Sequence, residues 1–572
     1  MNMSIRACPE ARQIWAGKQG RASASKGRYV LAAMHSWLNG IGQTWDQWRR
    51  WYGMVGCRPA DPQEESNHVN DLSAGSVANY LCAAREEIGS EWVDTTAETM
   101  ARYATSYLPA GDRHPSAVVY PGDTGDVQRL VRLAAEFGVP LHPISTGKNI
   151  GLGGAAATQP SMVVVDLGRR MNRILEFDPV LRYVVVEPGV TYQALHDFLV
   201  EEGDALMCDT TSGPPEGGPL GNTLDKGAGY TPAADHFGNS CGLEVVLGDG
   251  RLLRTGDGAL PGSQTWHISR YGLGPVLDGL FLQSNFGIVT RMGIWLMARP
   301  RHIESFFYMF PEDDDIVAIA DISRELRLDG LVPTAIKATG DLYLLASHIP
   351  YPSEVPHSPL SMALRRSLHQ QHDIGAWVVS GAVYGSDPKQ VAERLEVVRN
   401  RFESAPTARY VAHAEAAERP ELKVHIDTYS GRPTASEVPM VNWRGGGILS
   451  LTPSTPMLGS IAGRHARMSR EILNRNGLDA CIDYIFVGRA SRGLHSILFD
   501  PHDERDCQHA ATADAELRQA YREAGYPVGR VPVDGQEDEM SHRDATLRAV
   551  NSSLKAVLDP RGIISPGRYG LR

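Results

Sequence analysis

A glycine-rich stretch at residues 143–154, PISTGKNIGLGG, carries the residue types of an anion-binding loop. Its four glycines allow positive φ angles and let backbone N–H groups come close to a ligand. Further donors come from the side chains of Ser145, Thr146, Lys148 and Asn149. The spacing matches neither the GxxxxGK[ST] loop of nucleotide triphosphatases nor the GxGxxG turn of dinucleotide folds. An ordinary glycine-rich turn therefore stays open as the alternative until the neighbouring elements are considered.

Charge and cysteine content favour small-molecule chemistry. The 572 residues carry a formal net charge of −11 without a sustained run of lysine or arginine, which argues against a nucleic-acid partner. The seven cysteines are scattered and form no CxxC pair, so we expect neither a disulfide framework nor a metal site. No long apolar run and no signal-peptide pattern occurs, and we expect a cytoplasmic protein without membrane contact.

The loop lies between elements of a regular α+β pattern. It follows the helical segment DVQRLVRLAAEFG and precedes the strand-like SMVVVDLG. A second glycine-rich block at residues 212–239 precedes a hairpin with the turn GDG. Around residue 305 the sequence changes to long amphipathic helices and strands, which continue to about residue 525. This change indicates an inserted domain.

Six long blocks carry a resemblance to a known family: PISTGKNIGLGG, VVEPGVTYQALHDFL, GNTLDKGAGYTPAADHFG, LEVVLGDGRLLRTGDGALP, YGLGPVLDGLFLQSNFGIVTRMGIWLM and DPRGIISPGRYG. From about Ser116 to its C-terminus the chain resembles the vanillyl-alcohol oxidase and 4-cresol dehydrogenase flavoproteins. The resemblance implies an α+β fold, with a two-part FAD-binding domain of the p-cresol methylhydroxylase type and an inserted α+β cap whose antiparallel sheet is flanked by helices. The expected domains are a partly disordered extension (1–74), the FAD-binding domain (75–304), the cap (305–522) and a segment returning to the FAD-binding domain (523–572).

The resemblance gives the first loop a ligand, because it implies that this loop wraps the FAD pyrophosphate with its backbone N–H groups. It implies that the second block follows the ribityl chain and the ring edge of FAD. The residues expected to bind FAD are Ser145, Thr146, Gly147, Lys148, Asn149, Ile150, Gly151, Ser212, Gly217, Gly218, Gly221, Asn222, Gly229, Tyr230, Ile288, Val289 and Arg568.

The chain departs from the family pattern where relatives hold a phenolate between two tyrosines and an arginine. Leu152 and Gly529 stand at the tyrosine positions, and only Arg530 is kept. Arg530 is a candidate catalytic residue that stabilises an anionic oxygen, with a salt bridge to a cap carboxylate as the alternative. His495, in RGLHSI, matches a histidine of the family pocket and is the second catalytic candidate, with a structural histidine as the alternative.

A carboxylate base near the flavin is in doubt, because Ser212 or Gly213 stands where some relatives have an acid. Glu216 and Asp209 lie close enough in sequence to reach the site instead. The three places at which relatives attach FAD covalently are also changed, since they carry Ile448, Val441 and Asn149. The resemblance therefore implies FAD bound without a covalent link.

These features predict an FAD-dependent oxidase or dehydrogenase. It would transfer a hydride from an aromatic or similarly activated alcohol, an alkylphenol-like compound or a related small molecule to flavin N5. A redox-inactive flavin-binding scaffold and a redox-neutral lyase or isomerase remain alternatives. The electron acceptor is either oxygen or a redox protein or quinone, and assembly as a homodimer stays open.

Overall fold

A short mixed sheet between residues 93 and 166 carries the first glycine-rich loop. The computed structural model describes residues 74–109, 111–352 and 359–572, so the predicted extension lies outside the described residues except for its last position. The strands are β1 (Val93–Asp94), β2 (Ala117–Val119), β3 (Leu141–Ile144) and β4 (Val163–Asp166), in the order β1-β2-β4-β3. Strands β2, β4 and β3 are parallel, and β1 is antiparallel to β2.

Three helices cover this sheet: α1 (Ala74–Ile88), α2 (Ala97–Ala104) and α3 (Thr124–Phe137). Helix α3 begins where the side chain of Asp123 accepts the backbone N–H of Asp126, and it ends at Gly138 in the left-handed conformation, with φ 68°. Its apolar face packs on the sheet, so the turn after β3 is held at a fixed place. That turn is the first glycine-rich loop.

The second part of the FAD-binding half is an antiparallel sheet. Its strands are β5 (Ile174–Asp178), β6 (Tyr183–Val186), β8 (Ser240–Leu247), β9 (Leu252–Arg254) and β10 (Gly287–Trp295), in the order β5-β6-β10-β8-β9. A two-stranded pair, β7 (Leu206–Met207) with β11 (Met297–Ala298), and the helices α4 (Tyr192–Glu201) and α5 (Pro219–Leu224) complete it. The second glycine-rich block runs between β7 and β8.

The cap is built on an antiparallel sheet of eight strands. They are β12 (His302–Phe310), β13 (Ile336–Gly340), β14 (Trp377–Gly385), β15 (Arg409–Val411), β16 (Gly447–Pro456), β17 (Cys481–Val487), β18 (Ala490–Phe499) and β19 (Val528–Arg530), in the order β15-β12-β14-β13-β17-β18-β16-β19. The helices are α6 (Ile316–Leu328), α7 (Asp341–Ala346), α8 (Met362–His372), α9 (Pro388–Phe402), α10 (His413–Ala417), α11 (Pro420–Tyr429), α12 (Gly459–Arg475) and α13 (Glu504–Glu523). The predicted antiparallel cap sheet flanked by helices is confirmed.

The two faces of the cap sheet have different surroundings, since one packs on an apolar core and the other borders a cavity. Alternate residues such as Ile482, Tyr484 and Phe486 point into an apolar core that includes side chains of helices α6, α12 and α13. The residues between them point to the opposite face, where Ile485 and Leu494 contribute to the wall of a cavity. The sheet thereby presents one row of side chains per strand to the FAD-binding half.

The C-terminal segment belongs to both halves. Strand β19 pairs with β16 at the edge of the cap sheet. Beyond helices α14 (Gln536–Ser541) and α15 (Ala545–Leu558), Ile564 forms a parallel bridge with Leu141 of β3. The exact domain boundaries stay a prediction. In the described ranges, none of the helices combines the length and apolar character needed to cross a membrane.

Candidate active site

A cavity of about 370 Å³ lies between the glycine-rich loops and the free face of the cap sheet. Its size is that of a small-molecule or cofactor site. The predicted residues that line it are Ser145, Thr146, Gly147, Lys148, Asn149, Ile150, Ser212, Gly217, Gly218, Gly221, Asn222, Tyr230, Ile288, Val289, Arg530 and Arg568. Three predicted residues, Gly151, Gly229 and His495, are not part of the lining.

The first loop presents free donors to this cavity. Among the described residues, the backbone N–H groups from Thr146 to Asn149 have no acceptor. Gly147 has a φ of 66°, a left-handed conformation that side chains other than glycine rarely adopt. Successive N–H groups that point into a cavity form a nest for an anionic oxygen. The loop therefore has the structure expected of a pyrophosphate site.

Gly151 does not line the cavity, and it lies where the first loop contacts strand β16 of the cap. Its φ is 74°, and a Cβ atom there would collide with the side chain of Ser450 on β16. Ser450 also donates its backbone N–H to the carbonyl of Gly151 at 2.9 Å. Gly151 thus lets the loop and the cap strand approach closely, while the neighbouring residues contact the cavity.

The second glycine-rich block is held by a chain of three buried or half-buried polar side chains. The His236 ring contacts Asp209 Oδ2 through Nε2 at 2.8 Å and Asn222 Oδ1 through Nδ1 at 2.6 Å. Asp209 Oδ1 also accepts the backbone N–H of Thr231 at 2.7 Å. Gly229 leaves room for this arrangement, because a Cβ atom there would collide with Asp209. Asn222 is consequently fixed at the cavity wall.

Arg530 lies at the wall, and its partner is a carboxylate of the FAD-binding half. Its Nη2 donates to Asp225 Oδ2 at 2.8 Å. Asp225 also accepts hydrogen bonds from Asn149 Nδ2 at 3.0 Å and from the Tyr569 hydroxyl at 3.1 Å. Burial opposes ionisation of Asp225, but Arg530 and Arg568 outweigh it and lower the pKa of this carboxyl. The alternative of a cap carboxylate as the partner of Arg530 is therefore wrong.

Two arginine nitrogens at the cavity still lack an acceptor. Nε of Arg530 and Nε of Arg568 are buried without a hydrogen-bond partner among the described residues. An unpaired buried guanidinium N–H costs free energy, which an oxygen of a bound ligand would recover. Together with the free N–H groups of the first loop, these donors fit the phosphate and carbonyl oxygens of FAD.

His495 does not reach the cavity, which corrects the expectation that it faces the flavin. It is fully buried on the other face of β18, and its Nε2 contacts the hydroxyls of Tyr521 at 2.7 Å and Ser469 at 3.1 Å. Its neighbours Leu494 and Ser496 line the cavity instead. Burial lowers the pKa of His495 to about 4, so it is neutral at ordinary pH. Its position is that of a structural histidine of the cap core.

The acids considered from the sequence do not supply a base at the wall. Asp209 is buried with His236, as described, and Glu216 is exposed to solvent. Ser212 lines the cavity and shares a hydrogen bond of 3.0 Å with the Tyr230 hydroxyl. Besides Asp225, the carboxylate that lines the cavity is Glu437, the residue directly before the short 3₁₀ segment Val438–Arg444 that precedes β16.

Glu437 belongs to a buried charged group that sequence reasoning missed. Its Oε1 accepts a hydrogen bond from Lys337 Nζ at 2.6 Å, and its Oε2 accepts one from the Tyr343 hydroxyl at 3.2 Å. Lys337 Nζ also lies 3.1 Å from Asp483 Oδ2. Burial alone would raise the pKa of Glu437, but Lys337 outweighs it and holds that pKa below its usual value. An ionised carboxylate therefore borders the cavity.

Four of the positions that differ from the family pattern also lie around this cavity. Leu152, Ile448 and Val441 line it with apolar side chains, and Asn149 contacts Asp225. Gly529 carries no side chain beside Arg530, and a Cβ atom there would meet only atoms at ordinary contact distance. The wall is thus less polar at Leu152 than a tyrosine would make it, whereas Gly529 lies outside the lining.

A family description, "FAD binding domain", matches residues 115–256. The flavoprotein subunit of 4-cresol dehydrogenase (hydroxylating) from Pseudomonas putida is 33% identical over 517 residues, which cover 89% of this chain and 98% of that protein. A crystal structure of p-cresol methylhydroxylase with substrate bound superimposes with a TM-score of 0.85 at 32% identity, covering 87% of this chain and 98% of the other. These matches span both halves of the fold.

A second relative has a different activity in its name. The 1'-carboxy-chondrochloren decarboxylase from Chondromyces crocatus is 32% identical over 527 residues, which cover 86% of this chain and 97% of that protein. The two relatives are equally similar within one percentage point, so similarity alone does not choose between their reactions.

Proposed function

This chain belongs to the 4-cresol dehydrogenase family of FAD-dependent flavoproteins, and from that premise we propose that it oxidises a small activated substrate between Arg530 and Glu437. The observation that supports this most directly is the cavity itself. It joins the free N–H groups of the first loop to a wall that carries both cations and ionised carboxylates, among them Arg530, Asp225 and Glu437. A wall of opposite charges can bind an oxygen that becomes anionic and accept the proton that leaves it.

The first loop, Arg568 and two apolar residues of the cap bind FAD in this proposal. The N–H groups from Thr146 to Asn149 hold the FAD pyrophosphate, and Arg568 contacts a second polar part of the cofactor. Ile448 and Val441 pack beside it without a nucleophile, which leaves the cofactor noncovalently bound. When bound, FAD supplies the redox chemistry by accepting a hydride from the substrate carbon.

Arg530 and Glu437 act on the substrate oxygen. Glu437 Oε2 accepts a hydrogen bond from Tyr343, Ser212 also hydrogen-bonds this carboxylate, and the ionised group can accept the proton of a substrate hydroxyl. Arg530 stabilises the negative charge that develops on that oxygen, through the Nε–H that has no protein partner. The substrate class that fits is an aromatic or similarly activated alcohol or an alkylphenol-like compound. Recognition does not depend on paired tyrosine hydroxyls, because Leu152 and Gly529 occupy those positions.

Oxidative decarboxylation is the second candidate. The Chondromyces crocatus relative supports it, and so does the Nε–H of Arg530 that has no protein partner, to which a substrate carboxylate could form a charge-assisted hydrogen bond. In that reaction carbon dioxide leaves while two electrons pass to the flavin. The two candidates share the site and differ in whether carbon dioxide is released.

An anaerobic screen of the purified holoenzyme tests the proposal. Aromatic alcohols, alkylphenols, amines, lactols and their carboxylated analogues are mixed with the protein, and loss of the oxidised-flavin absorbance is followed with carbon dioxide release. We expect at least one class to bleach the flavin within the mixing time. A protein that binds FAD but is bleached by none of them would support the redox-inactive scaffold, and turnover without net use of an acceptor would support the lyase or isomerase. Peroxide formation in air separates oxygen from a protein or quinone acceptor, while a cytoplasmic location and a homodimer stay predictions.

A further inference from the structure

Two charged side chains lie behind Glu437, out of reach of a ligand in the cavity. Lys337 Nζ is 2.6 Å from Glu437 Oε1 and 3.1 Å from Asp483 Oδ2, and the three side chains are exposed by 2%, 6% and 0%. We propose that Lys337 and Asp483 form a buried proton-transfer pair, which receives the proton that Glu437 takes from the substrate. The proposal rests on the proposed function, in which Glu437 is the proton acceptor.

The charge balance of the cluster is the first argument. An ordinary buried ion pair needs one carboxylate for one ammonium, whereas Lys337 faces two. Neither carboxylate oxygen of Asp483 has a hydrogen-bond partner among the described residues, so an ionised Asp483 would be compensated only by the charge of Lys337, whose Nζ lies 3.1 Å from Oδ2. A buried carboxylate in that position is costly and its protonated form much less so. The site is therefore suited to gaining and losing a proton.

The surrounding groups leave the proton exchange to these three residues. Burial raises the pKa of Tyr230 to about 12, and it raises the pKa values of Tyr343 on α7 and Tyr429 on α11 still further. Burial, assisted by Lys337, lowers the pKa of His425 on α11 to about 3. The tyrosines and this histidine thus stay neutral around pH 7.

Asp483 is the group that titrates near neutrality. Burial raises its pKa to about 7, with Lys337 lowering it and Glu437 raising it. Lys337 stays charged, because its two carboxylate neighbours outweigh burial and raise its pKa well above the usual value. At pH 7 and above, Asp483 is therefore increasingly available as an acceptor, while Lys337 connects it to Glu437.

The proton step balances without any further reactant. The substrate hydroxyl gives its proton to Glu437, and the protonated Glu437 then passes a proton to Lys337 Nζ. Lys337 gives one of its own ammonium protons to Asp483 Oδ2 in the same exchange. Glu437 ends ionised, Lys337 ends as ammonium and Asp483 ends protonated, so one proton has moved and no electrons have. This restores Glu437 as a proton acceptor.

Difference infrared spectroscopy provides a test that needs neither substrate nor turnover. The protein is titrated in heavy and light water from about pH 5 to pH 9. This range lies above the reference pKa values of Asp and Glu and below those of Tyr and Lys. In the wild type, the C=O stretching band of a protonated carboxyl should disappear as the pH rises, with its midpoint near pH 7. That transition should be absent in Asp483→Asn and present in Asp514→Asn, which removes another buried carboxyl that is paired with Arg518 in α13. A transition that persists in Asp483→Asn overturns the assignment.

The kinetic part uses anaerobic flavin reduction by the best substrate of the screen. In the wild type the rate should fall about tenfold per pH unit below pH 7, as for one essential base. In Asp483→Asn the rate should no longer fall below pH 7, and flavin reduction should be about tenfold slower than in the wild type at pH 8. Lys337→Arg keeps the positive charge, but a guanidinium does not release a proton, so this variant should also react about tenfold more slowly at pH 8 with its FAD content unchanged. An unchanged pH profile in Asp483→Asn would refute the pair, whereas a failed substrate screen would refute the proposed function and leave the infrared result decisive.

Discussion

Replacing Arg530 by methionine separates a catalytic role of this residue from a structural one. Its guanidinium pairs with Asp225 at 2.8 Å, with the two side chains exposed by 20% and 11%. Removing one partner of a buried ion pair costs about 3–5 kcal/mol, because a charge is left uncompensated. We expect a loss near the lower end, about 3 kcal/mol, since Asn149, Tyr569 and Arg568 remain around Asp225.

The chemical step should suffer independently of that loss. Removal of one preorganised donor from an oxyanion site lowers the rate by about a hundredfold or more, equivalent to about 2.7 kcal/mol. Adding Asp225→Asn to Arg530→Met removes the unpaired charge and should restore most of the stability. It should not restore the rate, because the donor to the substrate oxygen is still missing. Arg530→Lys should recover only part of the rate, since an ammonium does not reproduce the planar fork.

The assay combines stopped-flow flavin reduction without oxygen, the FAD content per protein and urea unfolding of the four variants, with Asp225→Asn alone as the matched control. Stability recovered with the rate still about a hundredfold low supports the catalytic role. A double variant that is stable and also reduces flavin at nearly the wild-type rate would refute it. Arg530 would then be only the counter-ion of Asp225.

Three further outcomes are expected. Acid or heat denaturation should release the flavin into solution, because the cavity wall offers no attachment side chain, and flavin fluorescence that stays with the protein on a denaturing gel would contradict this. Gly151→Ala should reduce FAD affinity about tenfold or more in equilibrium titrations, because φ 74° and the contact with Ser450 both oppose a side chain. The control Gly138→Ala should leave FAD affinity unchanged, because Gly138 also has a positive φ, 68°, but has open space around it. The free energy of unfolding should fall as the pH drops below 6.5, because His142, His425 and His495 have pKa values of about 3, 3 and 4 in the fold and charge more readily when unfolded. Each of these histidines should lower the free energy of unfolding by about 1.4 kcal/mol at pH 5.5. Equal urea midpoints at pH 7.5 and pH 5.5 would exclude this pH dependence.

The glycine-rich loops and the fold could be predicted from the sequence because their signals are local. The loop at residues 143–154 has its donors and glycines within one stretch, and valine-rich strands with amphipathic helices give the α+β pattern directly. The family blocks then fixed the order of the two halves. The confirmed fold class, FAD dependence and family membership all rest on such contiguous segments.

The wall opposite the loops could not be predicted in the same way. Glu437 and Lys337 are 100 residues apart, and Arg530 and Asp225 are 305 apart, so no local pattern joins them. His495 shows a second difficulty. Both faces of β18 are mostly buried, so its sequence has no alternation of polar and apolar residues that would indicate which side chain meets the cavity.

The bridge between Leu141 and Ile564 has a consequence for how the protein is made. The strand that carries the first loop gains this partner only when Ile564 has left the ribosome, more than 400 codons later. At 5–20 residues per second, about 20–80 s separate the synthesis of the two segments. The first loop therefore emerges as part of an incomplete cofactor site, and stable capture of FAD follows the synthesis of Ile564 and its neighbours. A chain that stops shortly before Ile564 lacks this bridge and should not retain its flavin.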